Sequence, residues 1–264
     1  MPNEVPAVGA AIRMIERLAA EAPHAVPAGT LANELGLNRS TCYNILATLQ
    51  QAGWVNNVGN RSGWTLGPGL STLAGLSDEL IDTAVQEEID RLCKRLGYVV
   101  FAAREDGSGG YTVVAVADPG RGVRVTVDVG DRFPFSAPGL MHAFWSYRPW
   151  EEFVEVTRRR QVERFTEFTV VELDQLAELF ALVRERGYGA SIRQFNLAQS
   201  GASAAVFGPD GCPKLVLVTL AFSSDLDWDN LPEVGSSIRD AAARITSRTG
   251  GAVPDRPVGS TATR

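Results

Sequence analysis

Apolar side chains recur every three or four residues in the first fifty positions, which is the period of an amphipathic helix. The pattern predicts a first helix that ends near Pro23, a second from about Pro27 to Leu35, and a third that Asn38 caps. Two short apolar segments on either side of the polar turn 56–62 then predict a hairpin. The chain therefore begins with three helices and a hairpin.

After Gly67 the pattern predicts a second, larger set of elements. A short helix is expected over 70–76 and a longer one over 78–96. The period then becomes that of strands, which are predicted at residues 98–103, 111–117, 123–129, 203–207 and 215–222. Further helices are predicted at residues 137–147, 149–160, 173–187 and 231–245. The fold class is therefore α+β with an antiparallel sheet, and residues 250–264 are expected to be a disordered tail.

The second and third predicted helices have the spacing of a helix-turn-helix. Ala32 is a small residue at the helix crossing, Gly36 suits the tight turn, and Cys42 and Ile45 continue the apolar offsets. The opposite face of the third helix and the hairpin carry side chains that form hydrogen bonds with bases and phosphates. These candidate DNA-binding residues are Asn38, Arg39, Ser40, Thr41, Tyr43, Asn44, Thr48 and Arg61. The sequence therefore predicts a winged helix-turn-helix that binds double-stranded DNA.

Charge and composition change this picture little. The net charge of −6 opposes nucleic-acid binding, but residues 35–77 contain no acidic side chain. The three cysteines are far apart, which fits a reducing cytoplasm better than a disulfide framework. Neither a secretion signal nor an apolar run of the roughly 18 residues needed to span a membrane is found, so no membrane partner is expected.

The residues that catalysis or metal binding would need are few. His24 and His142 are the only histidines, and no His or Cys pair has the spacing of a zinc site. His142 is expected to be a partly buried histidine with satisfied hydrogen bonds. Cys212 has no histidine near it in the sequence, and Cys42 is expected to lie in the helix core, which argues against a redox role. We therefore expect neither an enzyme nor a cofactor. The alternative is a small-molecule sensor or enzyme whose helical N-terminal domain serves protein contacts.

The N-terminal part closely resembles the DNA-binding signature of the IclR-type regulators, at residues 35–41, 46–55 and 64–68. The similarity continues through most of the remaining chain, at residues 123–143, 186–188 and 200–211. The resemblance implies a winged helix-turn-helix domain (1–68), a linker helix (69–77) and a GAF-like α/β domain for effector binding and oligomerisation (78–249). It also implies a regulator that binds palindromic operators as a homodimer or tetramer. Asn44 stands where the family often has a basic residue.

The resemblance further implies where a small-molecule effector binds. In the family the ligand lies against the sheet, below the helix start that matches Gly139 and Leu140, whose backbone N–H groups suit a carboxylate. The residues expected to line the pocket are Phe135, Ser136, Gly139, Leu140, Met141, Asn196, Thr219, Leu220 and Phe222. This apolar and aromatic set predicts an aromatic carboxylic acid rather than a two- or three-carbon acid. The alternative, that these are ordinary core residues, stays open.

Overall fold

The computed structural model describes residues 5–59, 63–107, 109–120 and 125–254, with residues 71–80 described by their backbone alone. The chain divides into two compact units, Met1–Glu79 and Leu80–Arg264. The division falls inside one long helix, so each unit is best understood from its own core.

The N-terminal unit consists of three helices and a two-stranded hairpin. The helices are α1 (Pro6–Glu21), α2 (Ala28–Glu34) and α3 (Arg39–Gln51), and the antiparallel strands are β1 (Val55–Asn57) and β2 (Trp64–Leu66). Met14, Leu31, Leu46 and Trp64 are buried together and hold the three helices against the hairpin. The predicted order of elements is confirmed in this unit.

Two local features fix the turn before α3. Gly36 has a φ of +65°, a conformation in which a side chain is strained, and the next residue, Leu37, donates its N–H to the Ala32 carbonyl at 2.8 Å. Asn38 then caps α3, because its side-chain oxygen accepts the Thr41 N–H at 2.8 Å. These contacts set the direction in which α3 leaves the turn.

The C-terminal unit is built on one six-stranded antiparallel sheet. Its strands are β3 (Val99–Glu105), β4 (Tyr111–Ala117), β5 (Arg132–Phe133), β6 (Gly189–Ile192), β7 (Gln199–Phe207) and β8 (Pro213–Phe222). They lie in the order β5-β4-β3-β8-β7-β6. The helices are α4 (Gly69–Leu96), α5 (Pro138–Trp145), α6 (Trp150–Arg159), α7 (Leu173–Arg186) and α8 (Leu231–Arg248).

Helices cover both faces of this sheet. Val100 and Ala102 of β3 pack in one core with α4 and α8, whereas Val99, Phe101 and Ala103 pack in a second core with α5, α6 and α7. Successive residues of a strand point to opposite faces, so a strand covered on both sides is apolar throughout. This explains the apolar runs at residues 99–103 of β3 and 215–218 of β8.

A buried carboxylate joins α4 to α8. The Glu88 side chain is only 2% exposed and accepts hydrogen bonds from Arg91 and, at 3.0 Å, from Arg244, while Arg248 lies 3.9 Å away. Burial raises the pKa of Glu88, but the hydrogen bonds and charges of Arg91 and Arg244 outweigh this effect and hold the pKa below its ordinary value. Glu88 is therefore ionised at neutral pH and binds the two helices together.

The structure corrects three predictions. Residues 70–76 and 78–96 belong to a single helix, α4, rather than to two. The strand predicted at 123–129 is wrong in its described part, because Val125 and Val127 are buried against a cavity while no ladder pairs them. The edge strand β5 forms instead at Arg132–Phe133, and the short strand β6 was missed. Of the predicted tail, residues 251–254 carry no helix or strand, and the rest lies outside the described residues.

Candidate DNA-recognition surface and ligand cavity

The outward face of α3 is polar and exposed. Tyr43 is 54% exposed, and Arg39, Asn44 and Thr48 are exposed beside it. The Thr48 hydroxyl donates to the backbone carbonyl of Asn44 at 2.8 Å. This hydrogen bond does not involve the side-chain amide of Asn44. The inward face consists of Cys42, Ile45, Leu46 and Leu49, all buried. The helix therefore offers one continuous polar surface to the solvent.

The start of α3 is organised by its cap. The Asn38 side chain accepts from the Thr41 N–H and from the Ser40 hydroxyl, each at 2.8 Å. The Asn38 side chain is thus engaged in positioning the first turn, and Thr41 is half-buried. Arg61, the predicted wing contact, lies outside the described residues. The first turn of α3 is therefore held in place next to the exposed residues of the helix.

A cavity of about 440 Å³ opens in the C-terminal unit against the sheet. Phe101 of β3, Val218 and Leu220 of β8 and the start of α5 line it. Three further segments, around residues 125–127, 131–133 and 195–201, line it as well, and they include strand β5 and the start of β7. The topology thus brings segments that are far apart in the chain around one cavity.

Aromatic rings form one side of this cavity. Phe101 and Phe133 are stacked with their ring centroids 5.6 Å apart and their planes at 10°. Phe195 meets Phe133 edge-on at 5.8 Å, and Phe165 supports Phe195 from behind at 4.7 Å. Such arrangements follow the quadrupole of the rings, so these contacts hold Phe133 and Phe195 in place at the cavity wall.

Backbone and side-chain polar groups converge on the same space. No side chain caps the start of α5, and Pro138 occupies its first turn. The N–H groups of Gly139 and Leu140 therefore remain for a ligand at the positive end of the helix. The Ser203 hydroxyl donates to the Gly139 carbonyl at 2.7 Å and fixes this turn. The lining also includes Thr126, Asn196, Gln199 and Ser200.

The nine predicted effector residues fall into two groups. Four of them line the cavity: Gly139, Leu140, Asn196 and Leu220. The other five lie outside its lining: Phe135, Ser136, Met141, Thr219 and Phe222. The structure therefore places the predicted residues of the α5 start, one residue of β8 and Asn196 at the cavity, and the other five elsewhere.

Strand parity and packing explain the five exceptions. Thr219 lies between Val218 and Leu220 and so points to the other face, where its hydroxyl donates to the Val99 carbonyl at 3.1 Å. Met141 is wholly buried in the helix-covered core, and Phe222 ends β8 beside Gln199. The Phe135 ring packs against Trp145 and Phe153, both at 5.9 Å. Ser136 shares a different cleft with Phe135.

Sequence reasoning missed the aromatic wall. Phe101, Phe133 and Phe195 come from three separate segments, and only the sheet order brings them together. The available signals were the position of Phe133 directly before a proline turn and the apolar run around Phe101. Neither signal distinguishes a cavity wall from a packed core.

The remaining reactive groups are placed apart from this cavity. His142 is wholly buried rather than partly buried; its Nδ1 lies 3.0 Å from the Ala190 carbonyl, and its Nε2 has no partner among the described residues. Burial lowers the pKa of His142 to about 4, so the ring is neutral at pH 7. Cys42 and Cys93 are buried, and Cys212 is half-buried.

The described part of the chain includes no cluster of three metal-ligating side chains. Within the same ranges, no helix combines the length and apolarity needed to span a membrane.

Comparison with known proteins gives consistent matches over both units. The family profile described as "IclR helix-turn-helix domain" matches residues 8–59, and that described as "Bacterial transcriptional regulator IclR C-terminal" matches residues 74–247. The chain is 24% identical to "Transcriptional repressor IclR" of Escherichia coli (strain K12) over 252 residues, 94% of this chain and 92% of the relative. It is 23% identical to "HTH-type transcriptional repressor AllR" of the same strain over 218 residues, 82% of this chain and 80% of the relative.

Solved structures show the same fold. A crystal structure of an IclR transcriptional regulator from Alicyclobacillus acidocaldarius has a TM-score of 0.61 at 23% identity, covering 94% of this chain and all of that one. The Agrobacterium tumefaciens repressor BlcR has a TM-score of 0.60 at 20% identity, covering 94% of this chain and 98% of the other. The predicted α+β class, with an N-terminal helix-turn-helix and a C-terminal α/β domain on an antiparallel sheet, is confirmed.

Proposed function

Because this chain belongs to the IclR family of bacterial transcriptional regulators, we propose that a small aromatic carboxylate bound in its ligand cavity controls its affinity for operator DNA. Membership of this family already makes the chain a DNA-binding transcriptional regulator, and the relatives it matches are regulators rather than enzymes. The operator contacts, the chemistry of the effector and the assembly form the proposal.

The exposed polar face of α3 is the observation that carries DNA recognition. Asn44 and Thr48 have the short hydrogen-bonding groups that read base edges in the major groove, and asparagine is well suited to adenine. Arg39 is placed in the first helical turn, where it can contact a phosphate, and Tyr43 adds a large exposed ring beside it. We assign Asn38, Ser40 and Thr41 to holding the start of α3 against the DNA backbone. We assign Arg61 to a contact between the wing and the DNA.

A gel shift with the promoter region beside the protein's own coding sequence tests this assignment. Asn44→Ala should lower operator affinity about 5- to 150-fold, because a well-placed base contact contributes about 1–3 kcal/mol. Arg39→Ala should weaken operator and unrelated DNA alike, since a phosphate contact carries no sequence information. Gln175→Ala, an exposed polar change on α7, serves as the matched control. Unchanged binding by both α3 variants, with helix content intact, would refute the assignment.

The aromatic wall and the helix start support the proposed effector. The cavity volume of about 440 Å³ lies within the usual range for small-molecule sites, which is about 300–1,000 Å³. The rings of Phe133 and Phe195 suit an aromatic guest, whose carboxylate would accept from the N–H groups of Gly139 and Leu140. A two-carbon acid would satisfy the helix start but leave the rings without a contact.

Calorimetric titration with a panel of benzoates, against glyoxylate and pyruvate, tests the effector class. We expect the benzoates to bind more tightly, and Phe133→Ala to weaken them at least tenfold while it leaves pyruvate unaffected. Phe168→Ala changes a ring that is 41% exposed and outside the cavity, so it should have no effect. Tight binding of the two small acids alone would reverse the proposal.

The low charge of the recognition surface favours an assembly of several copies. Arg39 is the only charged residue of α3, so a single copy neutralises few phosphates. We infer a homodimer or tetramer that places two α3 helices in half-sites of a palindrome about 34–36 Å apart, or a multiple of it. Light scattering of the protein with and without operator measures the number of copies in the assembly. Finding only monomers would contradict this inference. Since operator DNA lies in the bacterial cytoplasm, we expect the protein to act there.

A further inference from the structure

A second cleft lies at the C-terminal end of α7 and shares no residue with the ligand cavity. Its volume is about 280 Å³, and its walls come from α7, β7, α8 and residues 253–254. Three guanidinium groups line it, those of Arg184, Arg186 and Arg239, and we call it the arginine cleft.

The three arginines differ in how far their hydrogen bonds are satisfied. Arg239 is paired with Asp240, with Nη2 2.8 Å from the carboxylate oxygen. Arg184 donates from Nη1 to the Ser146 carbonyl at 2.8 Å. Arg186 donates from Nε to the Tyr188 carbonyl at 2.6 Å and lies over the Tyr188 ring at 4.5 Å. The Nη2 of Arg186 is buried and has no acceptor among the described residues.

Arg184 and Arg186 differ in this respect from Arg239. Neither forms an ion pair with a carboxylate in the part of the chain that the structure describes. Burial lowers the pKa of both guanidinium groups, which means that their surroundings disfavour the charge. Arg184 is exposed as a residue, whereas Arg186 is half-buried and holds the buried nitrogen that has no acceptor among the described residues. A charge partly withdrawn from water without a partner raises the free energy of the protein, and an anion beside Arg186 would lower it.

We propose that the arginine cleft binds a small phosphate group, either free phosphate or a phosphate monoester. The guanidinium groups come from two helices, and a tetrahedral oxyanion offers acceptors in several directions at once. A volume of about 280 Å³ lies just below the usual range for drug-sized ligands, about 300–1,000 Å³, and so suits a small anion.

Two nearby features oppose an anion and make the site sensitive to mutation. The C-terminal end of α7 carries a partial negative charge, and Glu185 lies on the rim of the cleft. Arg184 and Arg186 must outweigh both. The loss of either guanidinium should therefore abolish most of the binding, whereas an ordinary surface site would lose little.

Calorimetric titration of the full chain, at constant ionic strength set with sodium chloride, tests the proposal. Inorganic phosphate and glycerol 3-phosphate are the two probes, and their relative affinities distinguish a free anion from a monoester. We expect saturable binding of one anion per chain, weakened at least tenfold by Arg184→Gln and by Arg186→Gln. Arg158→Gln, which removes an exposed arginine outside the cleft, should change nothing. Leu220→Trp, which fills the ligand cavity, should also leave phosphate binding intact.

Three results would overturn the proposal: no saturable heat with either probe, equal competition by chloride, or unchanged affinity in Arg184→Gln and Arg186→Gln. Circular dichroism of each variant verifies that it is folded. If Arg186→Gln does not fold, Arg184→Gln and Arg239→Gln carry the test, because neither residue contributes a buried unpaired atom.

Discussion

Replacing Glu88 by glutamine removes the charge that joins α4 to α8 while it keeps the size of the side chain. Because Glu88 is only 2% exposed, the new amide stays buried among guanidinium groups that it cannot neutralise. Arg91, Arg244 and Arg248 are between 42% and 60% exposed, so water solvates them once their partner is lost. The variant therefore tests the contribution of one buried carboxylate.

The exposure of the three arginines sets the magnitude. Removing one member of a fully buried ion pair costs about 3–5 kcal/mol, and a hydrogen bond to a charged group contributes about 1.5–3 kcal/mol. Since the partners of Glu88 regain water, we expect the smaller loss, about 2 kcal/mol of unfolding free energy. For a unit of this size that corresponds to roughly 4–8 °C in Tm.

Urea unfolding followed by circular dichroism measures the loss, with Glu87→Gln as the matched control. Glu87 is the next residue and pairs with Arg248 at 2.7 Å, but it is 53% exposed, so its loss should cost at most about 1 kcal/mol. Because the folded-state pKa of Glu88 lies below its ordinary value of 4.5, its contribution is complete above that pH and is lost as the pH falls through the folded pKa. The gap between wild type and Glu88→Gln should therefore be constant near neutral pH and close in acid.

Two results would refute this reasoning. Equal losses in Glu88→Gln and Glu87→Gln would show that burial adds nothing to the ion pair. A gap that stays open in acid would show that the charge of Glu88 is not its source.

Further predictions concern single groups in each unit. Asn38→Ala removes the acceptor of the Thr41 N–H and should destabilise the N-terminal unit by about 1 kcal/mol in urea unfolding, and no change would contradict the cap. Burial lowers the pKa of His142 to about 4, so between pH 6.5 and about 4 only the unfolded chain takes up a proton at this residue, and the folded protein loses stability as the pH falls. His142→Leu should make this loss of stability smaller. The same slope of unfolding free energy against pH in both proteins would contradict this. Cys212 should be the one thiol that reacts with Ellman's reagent in the native protein, because the other two are buried and burial raises their pKa; rapid reaction of all three would count against the fold.

The N-terminal unit was predictable because its signals are local. Gly36 and Asn38 fix the turn and the cap within a few residues of α3, and the apolar offsets identify the face that is buried. The exposed positions of Tyr43, Asn44 and Thr48 follow from the same period. Local chemistry and tertiary packing agree in this unit, so the sequence alone predicted which face of α3 is exposed.

The ligand cavity was only partly predictable because distant pairing decides it. The pairing of β3 with β8 sets the parity by which Leu220 faces the cavity and Thr219 does not. Apolar and polar side chains alternate around Val125 and Val127 as they would in a strand. The alternation arises because these two valines are buried against the cavity. All four residues of β6 are buried and three of them are small, so this short segment shows no alternation of apolar and polar side chains.

The place of β3 in the sheet has a consequence for the synthesis of the protein. Val99 of β3 and Thr219 of β8, which are hydrogen-bonded, are 120 residues apart in the chain. A ribosome that adds about 5–20 residues per second needs roughly 6–24 s to make the second strand after the first. During that interval the edge of β3 that pairs with β8 is open, and α8, which packs in the core on one face of β3, has not yet been made. The C-terminal unit is therefore completed late in translation, and nascent chains that stop before β8 are the forms that chaperones would bind.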